Sequence, residues 1–326
     1  MATSVLVKAV LDDGVVGLGE VPTSFSMPHE TVPAIQAVLR EARPCLAGMK
    51  LDDYPAWLEA FRRSHAAFSM TLAGLEVALF RAGLAARGAD EWRHWGGRCE
   101  RIETDITIPF LTDPRVLGEW LEQVAKVDFR TYKVKVSGAI DDDLAVVRTV
   151  REKLMRSGQP FTIRLDGNQG YSDESYLVML DRLEREGVEV ELFEQPLGKD
   201  DFAGLKRITR RSRLPVILDE TVCDAAACRR VVDEQLGHGV NIKIAKSGIA
   251  ESAAILQTAR QAGLKLMIGC MTETMVGLSA GIFMAAGTGA FDYIDLDSVH
   301  LLSQRRKCEG IRVAGRQYIL EKDRNA

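Results

Sequence analysis

The sequence predicts an α/β protein, a TIM-type (β/α)7β barrel joined to an N-terminal α+β capping domain. Three observations carry that prediction. A strand–helix beat runs from about residue 104 onward, a different rhythm precedes it, and charged residues recur where the predicted strands end. At 326 residues the chain exceeds a typical single domain, which suits one large barrel or two domains.

Taken in order, residues 5–10 and 15–20 are apolar runs flanking Asp12-Asp13-Gly14, a hairpin signal. Helical periodicity follows over 32–41, 54–63 and 72–84, so residues 1–103 read as the smaller α+β domain. Strand-length β-branched or apolar runs then occur at 104–108, 131–136, 161–165, 188–193, 215–218, 240–244, 265–268 and 292–294. Segments with apolar residues every three or four positions lie between them, and plausible helix caps stand at Asp141, Ser172 or Asp173, Asp224 and Glu251-Ser252. Eight strands alternating with seven helices describe a parallel sheet with crossover helices over 104–300. An open doubly wound sheet gives a similar beat. No G-x-G-x-x-G turn follows the first strand, which weakens a dinucleotide-binding reading. The last segment, 301–326, contains a strand pair at 310–320 expected to return to the capping domain.

Composition excludes several classes. Hydrophobic residues make up 46% and charged residues 27%, enough for a large core. The net charge is -4, and the basic residues form only short clusters such as Arg210-Arg211 and Arg305-Arg306-Lys307, so nucleic acid is not expected as a partner. Six dispersed cysteines lack zinc-ligand or redox spacing and read as free thiols. No basic segment followed by an apolar run opens the chain, and the apolar stretches are expected to fall short of a membrane span. A cytoplasmic protein without a membrane partner is the expectation.

The chemistry lies at the strand ends. Lys133 and Lys135 sit in the second barrel strand; Asp166 ends the third, Glu194 the fourth and Asp219 the fifth. Lys243 ends the sixth, and Asp295 and Asp297 follow the eighth. In a barrel, C-terminal strand ends share one mouth. A single charge at a strand end is more often a solvated surface residue, but a succession of them abutting apolar runs is not. Three carboxylates in one pocket repel each other and call for a cation. An all-oxygen donor set suits Mg2+, with Mn2+ as a substitute, and the lack of histidine or cysteine disfavours zinc. Lysines flanking such a cation would need lowered pKa values to act as bases, removing an α-proton on one face of a substrate carboxylate and returning one on the other.

These residues lie in recognisable motifs. Thr131-Tyr132-Lys133-Val134-Lys135 resembles the K-x-K motif of the enolase superfamily, in its muconate lactonizing enzyme subgroup. Asp166-Gly167-Asn168-Gln169-Gly170-Tyr171, Phe193-Glu194-Gln195-Pro196 and Leu218-Asp219-Glu220 resemble its three metal-ligand motifs. Asn241-Ile242-Lys243-Ile244-Ala245-Lys246-Ser247-Gly248 resembles its second lysine block. The resemblance implies Asp166, Glu194 and Asp219 as magnesium ligands and Lys135 and Lys243 as the acid/base pair acting through a metal-stabilised enolate. Lys133 would assist at the substrate carboxylate, with Asn168, Glu220, Lys246 and Glu273 as supporting residues. None of the five histidines falls where a His–Asp dyad would need it, which argues against mandelate-racemase-like chemistry.

Asp292-Tyr293-Ile294-Asp295-Leu296-Asp297 is similar to the D-x-D motif of dipeptide epimerases, whose aspartates hold a free α-ammonium. Thr104-Asp105-Ile106-Thr107 and Gly269-Cys270-Met271-Thr272-Glu273 resemble that group as well, adding Thr107, Cys270 and Met271 to the implied substrate-binding set. The implied reaction is epimerisation of the C-terminal residue of a dipeptide such as L-Ala-L-Glu, by a homo-oligomer. Relatives of this kind begin with an additional strand and mobile loop that find no counterpart before residue 5. The alternatives are an N-acylamino acid racemase, o-succinylbenzoate synthase or cycloisomerase with the same metal and lysines, or a feeble remnant that binds a small carboxylate.

Overall fold

The structure, a computed structural model, describes residues 3–303 and 308–321. The basic cluster Arg305-Arg306-Lys307 and the end of the predicted C-terminal segment lie outside the described residues. Strands β1 (Ser4–Val10) and β2 (Val16–Pro22) form the expected antiparallel hairpin, its turn tied by Val15 N–H donating to Asp13 Oδ1 at 3.0 Å. Helices α1 (Val32–Leu46), α2 (Tyr54–Ser64), α3 (Ser69–Ala86) and α4 (Glu91–His94) follow. The loop leaving β2 is anchored at its far end by Glu30, whose carboxylate accepts from Met70 N–H, Thr71 N–H and the Thr71 hydroxyl.

Helix α3 corrects one expectation. With 18 residues and a mean hydropathy of 1.3 it is long and apolar enough to cross a membrane. Its apolarity has another use: 78% of it is buried between β2, α10 and the remaining capping helices. The contact with β2 is backbone on backbone, since a Cβ on Gly17 or Gly19 would sit 2.0 Å from the carbonyl oxygen of Ala78 or Gly74. A helix so enclosed needs no polar face, which is why its sequence is apolar but for Ser69, Thr71, Glu76 and Arg81.

After β3 (Arg101–Glu103) come the barrel strands β4 (Ile106–Ile108), β5 (Thr131–Lys135), β6 (Thr162–Asp166), β7 (Phe193–Glu194), β8 (Val216–Leu218), β9 (Gly239–Ile242), β10 (Lys265–Gly269) and β11 (Tyr293–Asp295). They form one parallel sheet in sequence order. Asp105 N–H donates to the Ile294 carbonyl at 3.2 Å and Leu296 N–H to Thr104 Oγ1 at 2.8 Å, closing β4 against β11. The sheet is therefore a barrel and not an open doubly wound sheet. Crossovers are α5 (Pro114–Val124), α6 (Ile140–Arg156), α7 (Asp173–Arg185), α8 (Phe202–Arg211), α9 (Ala225–Glu234), α10 (Ile244–Gln261) and α11 (Met275–Thr288), followed by the short α12 (Ser298–Leu301). Strands β12 (Ile311–Ala314) and β13 (Gln317–Leu320) pair with each other, and β13 pairs with β3 rather than with the β1–β2 hairpin.

Side chains alternate about the barrel wall. Ile163 and Leu165 of β6 pack outward into the main core under the helices, so Arg164 and Asp166 face inward. Leu192, Ile217, Met267 and Tyr293 form a separate interior cluster. Below it, Arg164 donates to Asp105 at 2.8 Å and Glu191 at 2.6 Å, and its guanidinium lies 5.1 Å from the centre of the Tyr293 ring. The interior is thus filled, which leaves the residues at the C-terminal strand ends as the candidates for chemistry.

Caps at Ser172 and Asp224 form as expected, whereas α6 starts with no side-chain cap and Asp141 lies inside its first turn. The cap expected at Glu251-Ser252 does not form, because α10 starts at Ile244, directly after β9. Its first turn ends at Gly248, whose φ of +77° breaks the helix. That kink holds Lys246 over the mouth, one turn from Lys243.

Candidate active site

Strand register assembles the mouth. Lys135 on β5 is level with Asp166 on β6, and Asp166 with Glu194 on β7. Asp219 follows β8 directly and Lys243 follows β9. The five side chains form one charged arc, with Asp166, Glu194 and Asp219 buried between the two lysines. Lys135 Nζ donates to Asp166 Oδ2 at 2.8 Å and to Asn168 Oδ1 at 2.6 Å. At the other end, Lys243 Nζ donates to Asp219 Oδ2 at 2.9 Å and lies 4.0 Å from Glu194 Oε1. Lys133 stands between, donating to Asp295 and, at 3.2 Å, to Glu194 Oε2, with Asp166 3.8 Å away. Lys246 reaches Asp219 from the kinked turn, donating to its Oδ1 and, at 3.1 Å, to its backbone carbonyl.

The acids respond differently to this crowding. Burial alone would raise the Asp219 carboxyl, but Lys243 and Lys246 outweigh it and hold it well below the usual range. Burial also opposes ionisation of Asp166, and Lys135 and Lys133 prevail there. Glu194 is the exception: burial, with Asp166 and Asp219 beside it, pushes it up to about 7 against the pull of Lys133 and Lys243.

Two of the lysines are raised by the acids around them. Burial disfavours the charge on Lys133 and Lys243, yet the surrounding carboxylates raise both well above the ordinary lysine value. Lowered lysine pKa values do not follow from the protein's own groups, because acids outnumber ammonium groups around them.

The D-x-D pair lies on the adjacent wall. Asp297 accepts from Thr107 N–H at 2.6 Å and from Cys270 Sγ at 3.8 Å, so Thr107 acts through its backbone. Met271 packs against the capping-domain core, at the junction between barrel and cap. Asn168 Nδ2 donates to Glu220 at 3.4 Å, and Glu273 accepts from Met271 N–H at 3.3 Å. Asp105, Asp295 and Asp297 each bring one carboxylate oxygen within 4.8 Å of the others. By proximity alone this second acidic group could also hold a cation. Asp105 is bound by Arg164 and Asp295 by Lys133, as the acids of the arc are bound by their own lysines.

Sequence reasoning missed three supports. Asn241 Nδ2 donates to Glu194 Oε1 at 2.6 Å, and Gln195 Oε1 accepts from Asp219 N–H at 2.9 Å. Glu20 on β2 accepts from Thr274 N–H, the Thr274 hydroxyl and Gly277 N–H, tying the hairpin to the barrel. Asn241 was legible, being an inward position two residues before Lys243 in the predicted strand 240–244.

Glu20 also has an electrostatic effect. Burial, then Glu20, pushes Glu273 up to about 8. A carboxyl raised in the folded state favours folding below its unfolded value of 4.5, and that contribution is lost as pH rises toward 8. Glu273→Gln is therefore expected to flatten the fall in stability over this range and to stabilise the protein at pH 8 by about 1 kcal/mol or more, measured by urea unfolding.

Residues 116–319 match the enolase C-terminal domain-like family. The L-Ala-D/L-Glu epimerase of Thermotoga maritima is 32% identical over 94% of this chain and 87% of its own length. The chain belongs to this family. Among solved structures, the substrate-liganded L-Ala-D/L-Glu epimerase of Bacillus subtilis superposes with a TM-score of 0.89 at 28% identity, covering 98% of this chain and 89% of that one. A dipeptide epimerase from Enterococcus faecalis, complexed with Mg and L-Leu-L-Tyr, gives 0.87 at 27% identity, with the same coverage. Within the enolase superfamily the protein thus sits in the dipeptide-epimerase-like group and is an isomerase.

Proposed function

We propose that this isomerase epimerises dipeptides at the α-carbon beside the C-terminal carboxylate, with Lys135 and Lys243 as the opposed acid/base pair. One observation carries the reading: two lysines stand at opposite ends of a buried Asp166–Glu194–Asp219 arc, and a second acidic pair, Asp295 and Asp297, lies on the neighbouring wall. The donor chemistry suits Mg2+, since the arc is all carboxylate and Glu194 in particular resists ionisation without further positive charge nearby. Asp166, Glu194 and Asp219 would hold the ion. Bound there, it would offset the negative charge that builds on the substrate carboxylate and lower the Lys243 pKa that the acids now raise. The arc is preferred to Asp105, Asp295 and Asp297 because it lies between the two lysines, where that charge builds.

The chain's own residues do the rest. Lys133 binds the substrate carboxylate, and Asp295 and Asp297 take the α-ammonium. Lys135 and Lys243 exchange protons with the α-carbon from opposite sides. The dipeptide complexes of relatives support this substrate class.

The test is a set of L,L-dipeptides incubated with the protein and Mg2+ in deuterated water. One deuterium at the C-terminal residue, with formation of the L,D epimer, is expected by mass spectrometry; no exchange with any dipeptide overturns the reading. Asp297→Asn is expected to raise KM for free dipeptides about tenfold or more, from loss of a charged partner. N-acetylated analogues, which carry no ammonium, should be little affected, and an equal loss on both substrates would remove the ammonium-binding role.

A further inference from the structure

Position 269 is the one place on β10 where the inward-facing row loses its side chain. Met267, two residues earlier, fills the barrel interior beside Leu192, Ile217 and Tyr293. Gly269 is next on that face and is level with Asp295 on β11. A Cβ built there would lie 2.8 Å from Lys243 Cε, and 2.8 and 2.9 Å from Nδ2 and Oδ1 of Asn241. The space a side chain would take is thus occupied by two residues of β9 and its end, which cross over the bare glycine.

The colliding atoms decide the consequence. They are the ends of side chains, not backbone, so an added methyl can be met by movement of Lys243 without opening the sheet. Lys243 has little freedom to move harmlessly, since it is buried between Asp219 and Glu194 with its ammonium held at 2.9 Å from Asp219. A general base must stand within hydrogen-bond reach of the proton it takes, and a misplacement of about 1 Å is costly in rate.

We propose that Gly269 is a positioning residue: its missing side chain provides the channel through which Lys243 reaches the reacting carbon. The assignment rests on the epimerase reading. It explains why a glycine ends β10 on its inward face, where a close approach by neighbouring groups excludes a side chain.

Gly269→Ala separates this role from general damage, because each lysine serves one face. In deuterated water, exchange from the epimer whose α-proton faces Lys243 is expected to fall at least tenfold more than exchange from the other epimer, which Lys135 still serves. Inversion falls with it. Symmetrical loss beside normal exchange by the unsubstituted protein overturns the assignment alone. Absence of exchange by the unsubstituted protein overturns the epimerase reading and the assignment with it.

A second measurement needs neither substrate nor metal. Gly269→Ala is expected to lower the unfolding temperature in the native background and to lower it much less in a Lys243→Ala background, where Cε is gone and only the Asn241 contacts remain. The double variant should also retain the Lys135-side exchange of Lys243→Ala, since the two changes act through one group. A further loss of exchange in the double variant, or an equal lowering of the unfolding temperature in both backgrounds, places the collision on Asn241 or the backbone and overturns the proposal.

Discussion

Lys135→Ala and Lys243→Ala are each expected to abolish inversion, by a factor of about 10²–10⁴, while leaving opposite halves of the exchange reaction intact. Inversion needs a proton taken on one face and returned on the other, so loss of either base stops it in both directions. Exchange without inversion needs only one base. Lys135→Ala should therefore still exchange the α-proton of one epimer, and Lys243→Ala that of the other, each with retention of configuration. Stereochemically resolved mass spectrometry of the two epimers, incubated separately, reads both results. Loss of exchange from both epimers in either variant would make that lysine structural. The surroundings make such an outcome unexpected on stability grounds. Asp219 keeps Lys246 when Lys243 is removed, and Asp166 keeps Lys133 within 3.8 Å when Lys135 is removed, so neither buried acid is stranded.

Much of this site was legible before the fold was known, for a definable reason. A barrel converts strand order into spatial order, so charges ending successive strands must meet, and Lys135, Asp166, Glu194, Asp219 and Lys243 do meet. What periodicity could not supply was closure, which depends on a few hydrogen bonds between β4 and β11 far apart in sequence. Helix α3 misled for a similar reason: a buried helix and a membrane span share one composition, and only the packing of β2 and α10 around it separates them. The start of α10 was placed too late because its first turn is cut off by Gly248, a backbone feature that a search for capping residues does not detect. The basicity of Lys133 and Lys243 depends on the count of charges around each ammonium, a bound cation included, and that count needs coordinates.

Glu194→Gln is expected to separate stability from metal binding, moving the two in opposite directions. Glu194 is fully buried, lies at the centre of the arc and is pushed up to about 7 by burial, with Asp166 and Asp219 adding to the effect. Its folded pKa thus exceeds the unfolded value of 4.5, so its contribution favours folding at low pH and is lost as pH rises through 7. An uncharged amide of the same shape has no such dependence. Without added metal, the variant should match the native protein near pH 4.5 and equal or exceed it at pH 8 in urea unfolding. Lys133 and Lys243 still have Asp295 and Asp219, respectively, as partners, which limits the opposing cost. Magnesium affinity should move the other way. Removing a carboxylate ligand is expected to cost at least the 10–100-fold that losing a mere partner of a ligand costs, and α-proton exchange should vanish with it. Calorimetric titration with Mg2+ measures the first effect directly. Undiminished magnesium binding by a stably folded Glu194→Gln protein would move the ion to Asp105, Asp295 and Asp297, whose oxygens already lie within 4.8 Å of one another. The ammonium of a dipeptide would then have to be held elsewhere.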